Sequence, residues 1–367
     1  MACDAIKLAV PGVQELKPYQ PGKPIEELER ELGIENSIKL ASNENPLGPS
    51  EKALAAATAA LKEMTLYPDA MGFRLKQRLT QEYGVGAEQL TLGNGSNDLL
   101  ELITRVFVNP GDEVIYSEYA FIVYALVTRA AGAKVIEVPA KNFGHDLSAI
   151  AQAASVHTKL IFLANPNNPT GTAFTLQEIR TFMAAIADQT LVVLDEAYTE
   201  YVDDETLPDG LKLLAEYPNL IITRTFSKAW GLAGLRVGFA AASSEITDLL
   251  NRVRQPFNVN IPALAAAEAV LDDKEYLQRS VAVNLEGLAQ LYAGLDQLGV
   301  EYIRSFGNFI AVDFKRDAMP VYDALLRRGV IVRPVGIYNM PQHLRVSVGT
   351  KAENQRFLDA LAEVLNA

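Results

Sequence analysis

The residues best suited to chemistry lie in the run Thr225-Phe226-Ser227-Lys228-Ala229-Trp230-Gly231-Leu232-Ala233-Gly234-Leu235-Arg236. Lys228 stands among hydroxyl and small residues in a loop between two apolar runs, where α/β sheets place their ligands. Burial lowers the pKa of a lysine amine, and the neutral amine can attack a carbonyl to form an imine. Arg236 follows in the same loop and offers a permanent, forked cation suited to a phosphate. A lone Ser-Lys pair reads as a surface lysine in a flexible loop. Three other segments argue against that here.

Asp195 ends the apolar run Leu191-Val192-Val193-Leu194 and opens Asp195-Glu196-Ala197-Tyr198. A carboxylate at the edge of a buried strand is costly unless paired. A protonated pyridine nitrogen is such a partner, and the pair keeps that ring an electron sink. Tyr198 can hydrogen-bond a ring hydroxyl. Read alone, Asp195 would be a helix cap or a magnesium ligand. The run Asn165-Pro166-Asn167-Asn168-Pro169-Thr170-Gly171 is a fixed turn that can aim the Asn168 amide. The run Gly93-Asn94-Gly95-Ser96-Asn97 lies between a strand and a helix, whose free N–H groups suit a phosphate. It lacks the third glycine of a dinucleotide fingerprint and the Gly-Lys-Ser/Thr of a P-loop, which argues against NAD and ATP. A phosphate cup, an imine-forming lysine, an acid for a ring nitrogen and an amide for a ring oxygen together point to pyridoxal 5′-phosphate.

Elements that would position these residues can be read from the pattern of apolar runs. Candidate strands at 90–92, 113–117, 134–138, 160–164, 191–194, 220–223 and 237–241 alternate with amphipathic stretches such as 98–108 and 175–187. That pattern predicts an α/β fold, a three-layer domain around a mostly parallel seven-stranded sheet. Residues 262–298 read as one long helical connection. Residues 300–367 alternate strand and helix and predict a smaller α+β domain. The expected division is an N-terminal arm with part of the small domain at 1–40, a large domain at 41–260 and a small domain at 261–367. Four prolines in 11–24 suggest an extended arm.

The 367 residues are 49% apolar and 21% charged, ordinary for a globular chain. The net charge of −12 disfavours nucleic acid and anionic membrane surfaces as partners. The single cysteine, Cys3, excludes an internal disulfide or a Cys-rich zinc site and suggests a cytoplasmic protein. No apolar run is long enough for a transmembrane helix, and the N-terminus does not read as a signal peptide. His145, His157 and His343 are scattered without metal-ligand spacing, so no metal is expected.

In order and wording these motifs resemble the fold-type I aminotransferases, the class containing aspartate aminotransferase. Within that class the chain is similar to the histidinol-phosphate aminotransferase family from Tyr19 to about residue 360. The family markers are Pro18-Tyr19, Asn43-Glu44-Asn45-Pro46-Leu47-Gly48, Tyr67-Pro68-Asp69 and Leu344-Arg345-Val346-Ser347-Val348-Gly349-Thr350. The resemblance implies that Lys228 holds the cofactor as an imine and carries the proton at the substrate Cα. It implies that Asp195 pairs with the ring nitrogen, and that Tyr198 and Asn168 hold the ring oxygen. Gly95, Ser96, Asn97, Thr225, Ser227 and Arg236 would bind the cofactor phosphate, and Tyr119 would stack on the ring. Tyr67 would reach the cofactor of the neighbouring subunit, which makes the active enzyme a homodimer. Arg345 would clamp a substrate carboxylate, Arg333 with Tyr19 a substrate phosphate, and Asn43 would also contact substrate. The implied reaction is a ping-pong amino transfer between small amino and keto acids. In it, histidinol phosphate and 2-oxoglutarate give imidazole acetol phosphate and glutamate, a step of histidine biosynthesis. Alternatives on the same scaffold are an aromatic amino acid or phenylpyruvate aminotransferase and a decarboxylase of a phosphorylated amino acid. A non-catalytic regulatory domain lacks its usual basic helix-turn-helix, and an NAD-dependent oxidoreductase lacks its glycine fingerprint.

Overall fold

Seven apolar runs build the central sheet, in the spatial order Leu90–Gly93, Gly238–Ala241, Leu220–Thr225, Leu191–Asp195, Thr158–Ala164, Glu113–Ser117 and Lys134–Val138. The structure is a computed structural model that describes residues 3–14, 16–18 and 22–366. All pairings are parallel except the two made by Gly238–Ala241, which is antiparallel to both neighbours. Successive strand residues point to opposite faces. Val192, Leu194, Leu220 and Ile222 therefore enter the core on one side, and Val193 and Ile221 enter the core on the other. This explains the unbroken apolar runs: neither face of the central strands meets water.

A second sheet, wholly antiparallel, is ordered Arg333–Pro334, His343–Ser347, Phe309–Asp313 and Glu301–Ile303. Ile310, Val312, Leu344 and Val346 form its core with Leu291, Leu295, Phe357 and Leu361 of the helices Lys274–Leu298 and Lys351–Leu365. The N-terminal strand Ile38–Lys39 runs parallel to Val330–Ile331, and Leu40 packs in the same core. The fold is thus the expected α/β sheet with a smaller α+β layer.

Three expectations need correction. Residues 262–298 are two helices, Ile261–Val270 and Lys274–Leu298. They are separated at Asp273, whose side chain accepts the Tyr276 N–H as an N-cap. The first of them packs Ala263, Ala266 and Ala267 into the large core with Ala53 of the helix Glu51–Ala60, and Tyr276 belongs to that core too. The change of core therefore falls within Lys274–Leu298, not at residue 260. In the N-terminal arm, Pro11–Gln14 forms one helical turn instead of extended chain, with Pro11 at the position where a missing N–H costs nothing.

Candidate active site

Loops at the carboxyl ends of the parallel strands converge on one cavity, the place where open α/β sheets bind ligands. Its lining includes Asn43, Ser96, Asn97, Asn168, Asp195, Tyr198, Thr225, Ser227, Lys228, Arg236, Arg333 and Arg345. Residues up to 302 positions apart in sequence, from Asn43 to Arg345, thus meet at one cavity.

Lys228 is half-buried and donates from Nζ to the Ser42 carbonyl at 3.1 Å. Burial pushes its pKa down to about 7, and the nearby Arg345 and Arg236 guanidinium groups push the same way. An amine in that range is a usable nucleophile and proton carrier near neutrality.

Asp195 is buried at the end of its strand, with Oδ1 accepting from Thr223 Oγ1 at 3.0 Å and Oδ2 from the Tyr124 hydroxyl at 2.9 Å. Burial raises its pKa to about 6, against the pull of those two hydrogen bonds and of Lys228. A cation against this carboxylate would recover the cost of burying its charge. Tyr198 is buried as well, its hydroxyl accepting from Asn43 Nδ2 at 2.9 Å. Burial lifts its pKa to about 12, so it meets a ligand as a neutral phenol.

At the opposite end is an anion cup. The helix Ser96–Phe107 begins there, with Gly95 as its cap at φ +85. A Cβ on Gly95 would come within 2.4 Å of Arg236 Nη2, so only glycine admits the guanidinium this close. Arg236 Nη1 donates to Ser227 Oγ at 3.1 Å and to the Ala233 carbonyl at 3.0 Å. The Ser227 N–H donates to Thr225 Oγ1 at 3.1 Å. Helix N–H groups, two hydroxyls and a fixed cation make a phosphate site. The distance between this cup and Asp195 is spanned by one cavity with the Lys228 amine in it, so the residues fit an elongated ring cation that carries a phosphate and a carbonyl.

The second sheet supplies the remaining wall. Arg345 donates from Nη1 to Asn168 Oδ1 at 2.6 Å and from Nη2 to the Ala41 carbonyl at 2.7 Å. With its oxygen held this way, Asn168 has its amide nitrogen free to face the cavity. Arg333 is the register partner of Arg345 on the neighbouring antiparallel strand. Residues so paired project on the same face about 5 Å apart.

Tyr119, expected to stack on a cofactor ring, lies beside Phe143. Its backbone is left-handed at φ 58, and its ring is 5.6 Å from that of Phe143 between centroids. Phe121 and Tyr124 line the cavity instead. Tyr67 lines a different cavity on the same chain, 81% exposed and stacked on Phe257. Tyr19 lies outside the described residues. Tyr124 and Tyr338 line the site without having been singled out from the sequence. Tyr124 carries no local motif: only the packing of its helix, Ile122–Ala130, brings its hydroxyl to Asp195. Among the described residues no group of three or more His, Cys, Asp or Glu could hold a metal ion.

Comparison with known families decides the class. The model of "Aminotransferase class I and II" matches residues 35–361. The chain belongs to aminotransferase class I and II. This aminotransferase is 56% identical over 367 residues to "Histidinol-phosphate aminotransferase 2" of Pseudomonas fluorescens, covering 100% of this chain and 99% of that one. It is also 56% identical over 355 residues to "Histidinol-phosphate aminotransferase 1" of Mannheimia succiniciproducens, covering 97% of each. Among solved structures, the aminotransferase superposes on the histidinol-phosphate aminotransferase from Sinorhizobium meliloti in complex with pyridoxal-5′-phosphate. The TM-score is 0.89 at 30% identity, covering 97% of each chain. The aspartate aminotransferase of Thermus thermophilus, at 22% identity and a TM-score of 0.82, shares the fold.

Proposed function

We propose that this aminotransferase uses pyridoxal phosphate to move an amino group between histidinol phosphate and 2-oxoglutarate, yielding imidazole acetol phosphate and glutamate. The observation that carries the substrate reading is the pairing of Arg333 with Arg345 on one wall of the Lys228 cavity. Two arginines paired across one wall suit ligands with two anionic ends, or one dianionic phosphate, and serve a neutral aromatic amino acid poorly. The names of the relatives at 55–57% identity support the same substrate.

When bound, pyridoxal phosphate supplies a carbon that takes and returns the amino group and a ring that accepts electrons from the substrate Cα. In our reading, Lys228 holds the cofactor and moves the proton at the substrate Cα. Asp195 pairs with the ring nitrogen, while Tyr198 and the Asn168 amide hold the ring oxygen. Gly95, Ser96, Asn97, Thr225, Ser227 and Arg236 grip the phosphate. Arg345 takes the carboxylate of glutamate or 2-oxoglutarate, and Arg333 the phosphate of the second substrate. Asn43 orients Tyr198 and borders the substrate.

We also infer a homodimer in which Tyr67 of the partner subunit completes each cofactor site. In support, Leu61, Met64, Leu66, Tyr67, Met71 and Phe73 expose apolar side chains along one short stretch, more than a lone surface normally carries in one place. The one cysteine, exposed, suits a reducing cytoplasm. No helix among the described residues is long and apolar enough to cross a membrane.

A specificity panel tests the substrate. With 2-oxoglutarate as acceptor, kcat/KM for histidinol phosphate is expected to exceed that for phenylalanine and tyrosine. The reverse order would replace this reading with an aromatic aminotransferase.

A further inference from the structure

We propose that Arg254 and Asn258 form a positioning relay that ties the phosphate cup of one active site to the Tyr67 segment offered to the other. The inference rests on the homodimer reading above and goes beyond it: the two sites would share one mechanical part.

The contacts run in a chain. Arg254 is half-buried and donates from Nη2 to the Ala70 carbonyl at 2.7 Å, inside the turn that follows Tyr67. Its Nη1 donates to Asn258 Oδ1 at 2.6 Å. Asn258 Nδ2 in turn donates to the Leu92 carbonyl at 3.1 Å and to Asp98 Oδ2 at 2.9 Å. Asp98 Oδ2 also accepts the Asn94 N–H at 2.8 Å. The loop between Leu92 and Asp98 contains Gly95, Ser96 and Asn97, the residues of the anion cup. A single side-chain relay therefore holds both flanks of that loop and the Tyr67 turn.

Two further observations make the Tyr67 end stiff enough to transmit a shift. Asp69 Oδ1 accepts the Met71 N–H at 2.9 Å and Oδ2 the Phe73 N–H at 2.7 Å, closing the turn on itself. Gly72 is left-handed at φ +58, and a Cβ there would meet Leu92 Cδ1 at 2.1 Å, so the turn presses directly on the strand that delivers the cup. The Tyr67 ring stacks on Phe257, one residue before Asn258, with centroids 4.6 Å apart. The aromatic arm and the cup are thus seated on opposite ends of the same few residues.

Hybrid dimers of differently tagged chains separate the two ends, with cofactor binding read by visible absorbance. Arg236→Ala removes the cup of one subunit, leaving a single competent site per hybrid. Placing Arg254→Ala in the chain with the intact Arg236 tests the cup from within. Placing it in the Arg236→Ala chain tests it through the arm donated by the partner subunit. Both arrangements are expected to bind pyridoxal phosphate about tenfold more weakly than the Arg236→Ala/wild-type hybrid, about 1.4 kcal/mol. Asn258→Ala, which cuts the relay one bond later, is expected to reproduce the pattern and serves if Arg254→Ala does not fold. A loss in only one arrangement would overturn the relay while leaving the dimer intact. Sedimentation of the holoenzyme as a monomer would instead remove the homodimer reading, and the relay with it.

Discussion

The Tyr124 hydroxyl donates to Asp195 Oδ2 at 2.9 Å in a buried contact, so the acid at the end of its strand is held by a residue from the helix Ile122–Ala130. That bond favours the ionised carboxylate, which burial disfavours. Tyr124→Phe is expected to raise the Asp195 pKa further and to weaken cofactor binding by about fivefold, the worth of one buried hydrogen bond near 1 kcal/mol. Titration of the apoenzyme with pyridoxal phosphate checks this. An unchanged dissociation constant would show that Asp195 needs no such support.

Lys228→Ala is expected to abolish both the visible absorbance of the resting holoenzyme and nearly all turnover. A second consequence follows from the amine's depressed pKa. Below pH 7 the wild-type amine is protonated in folded and unfolded chains alike, and the folded state carries the penalty of a buried charge. As pH rises from about 7 toward the ordinary lysine value, the unfolded chain holds more protons than the folded one and stability climbs. Cofactor-free Lys228→Met is therefore expected to melt above the wild type at pH 6, with the gap closing by pH 10. Calorimetry at the two pH values checks the sign, and a gap that widens with pH would contradict the buried amine.

Arg333→Ala is expected to raise KM for histidinol phosphate by about 10- to 100-fold, the range for losing a charge-assisted hydrogen bond. Turnover of a neutral aromatic amino acid should change far less. Steady-state kinetics on both substrates decide the matter, since equal losses would remove the phosphate role from Arg333.

On the sheet face opposite Asp195 and Thr225, Arg224 donates from Nε and Nη2 to Glu196 Oε2 at 2.9 and 2.7 Å, and from Nη2 to Asp209 at 2.6 Å. Glu196→Ala removes the carboxylate that takes both Nε and Nη2 of the buried guanidinium, leaving it Asp209 and the nearby Glu200, and is expected to cost about 3 kcal/mol of folding stability. Urea denaturation of the cofactor-free protein measures it. A cost below 1 kcal/mol would mean that Asp209 and Glu200 suffice.

Much of this site was legible because strand ends and chemistry coincide. Asp195, Asn168 and Lys228 each follow an apolar run, and a parallel sheet gathers such ends on one edge. The cup was legible because glycine and a helix start adjoin in sequence at Gly95-Ser96. Tyr124 was not, because its role comes from a helix crossing the sheet edge and leaves no trace in spacing. The left-handed backbone of Tyr119 was not legible either, because residue type alone does not announce it. The single helix expected over 262–298 overlooked Asp272-Asp273, a capping signal that divides it.

The 25-residue helix Lys274–Leu298 begins beside the large sheet and ends beneath the sheet that bears Arg345. At 1.5 Å per residue it is a rod about 37 Å long with one foot in each body. The Lys228 amine rides on the first of those bodies and the Arg345 guanidinium on the second. Their separation is consequently a property of how the rod seats at either foot. Substitutions beneath it, remote from any ligand, will register as altered selectivity before they register as unfolding.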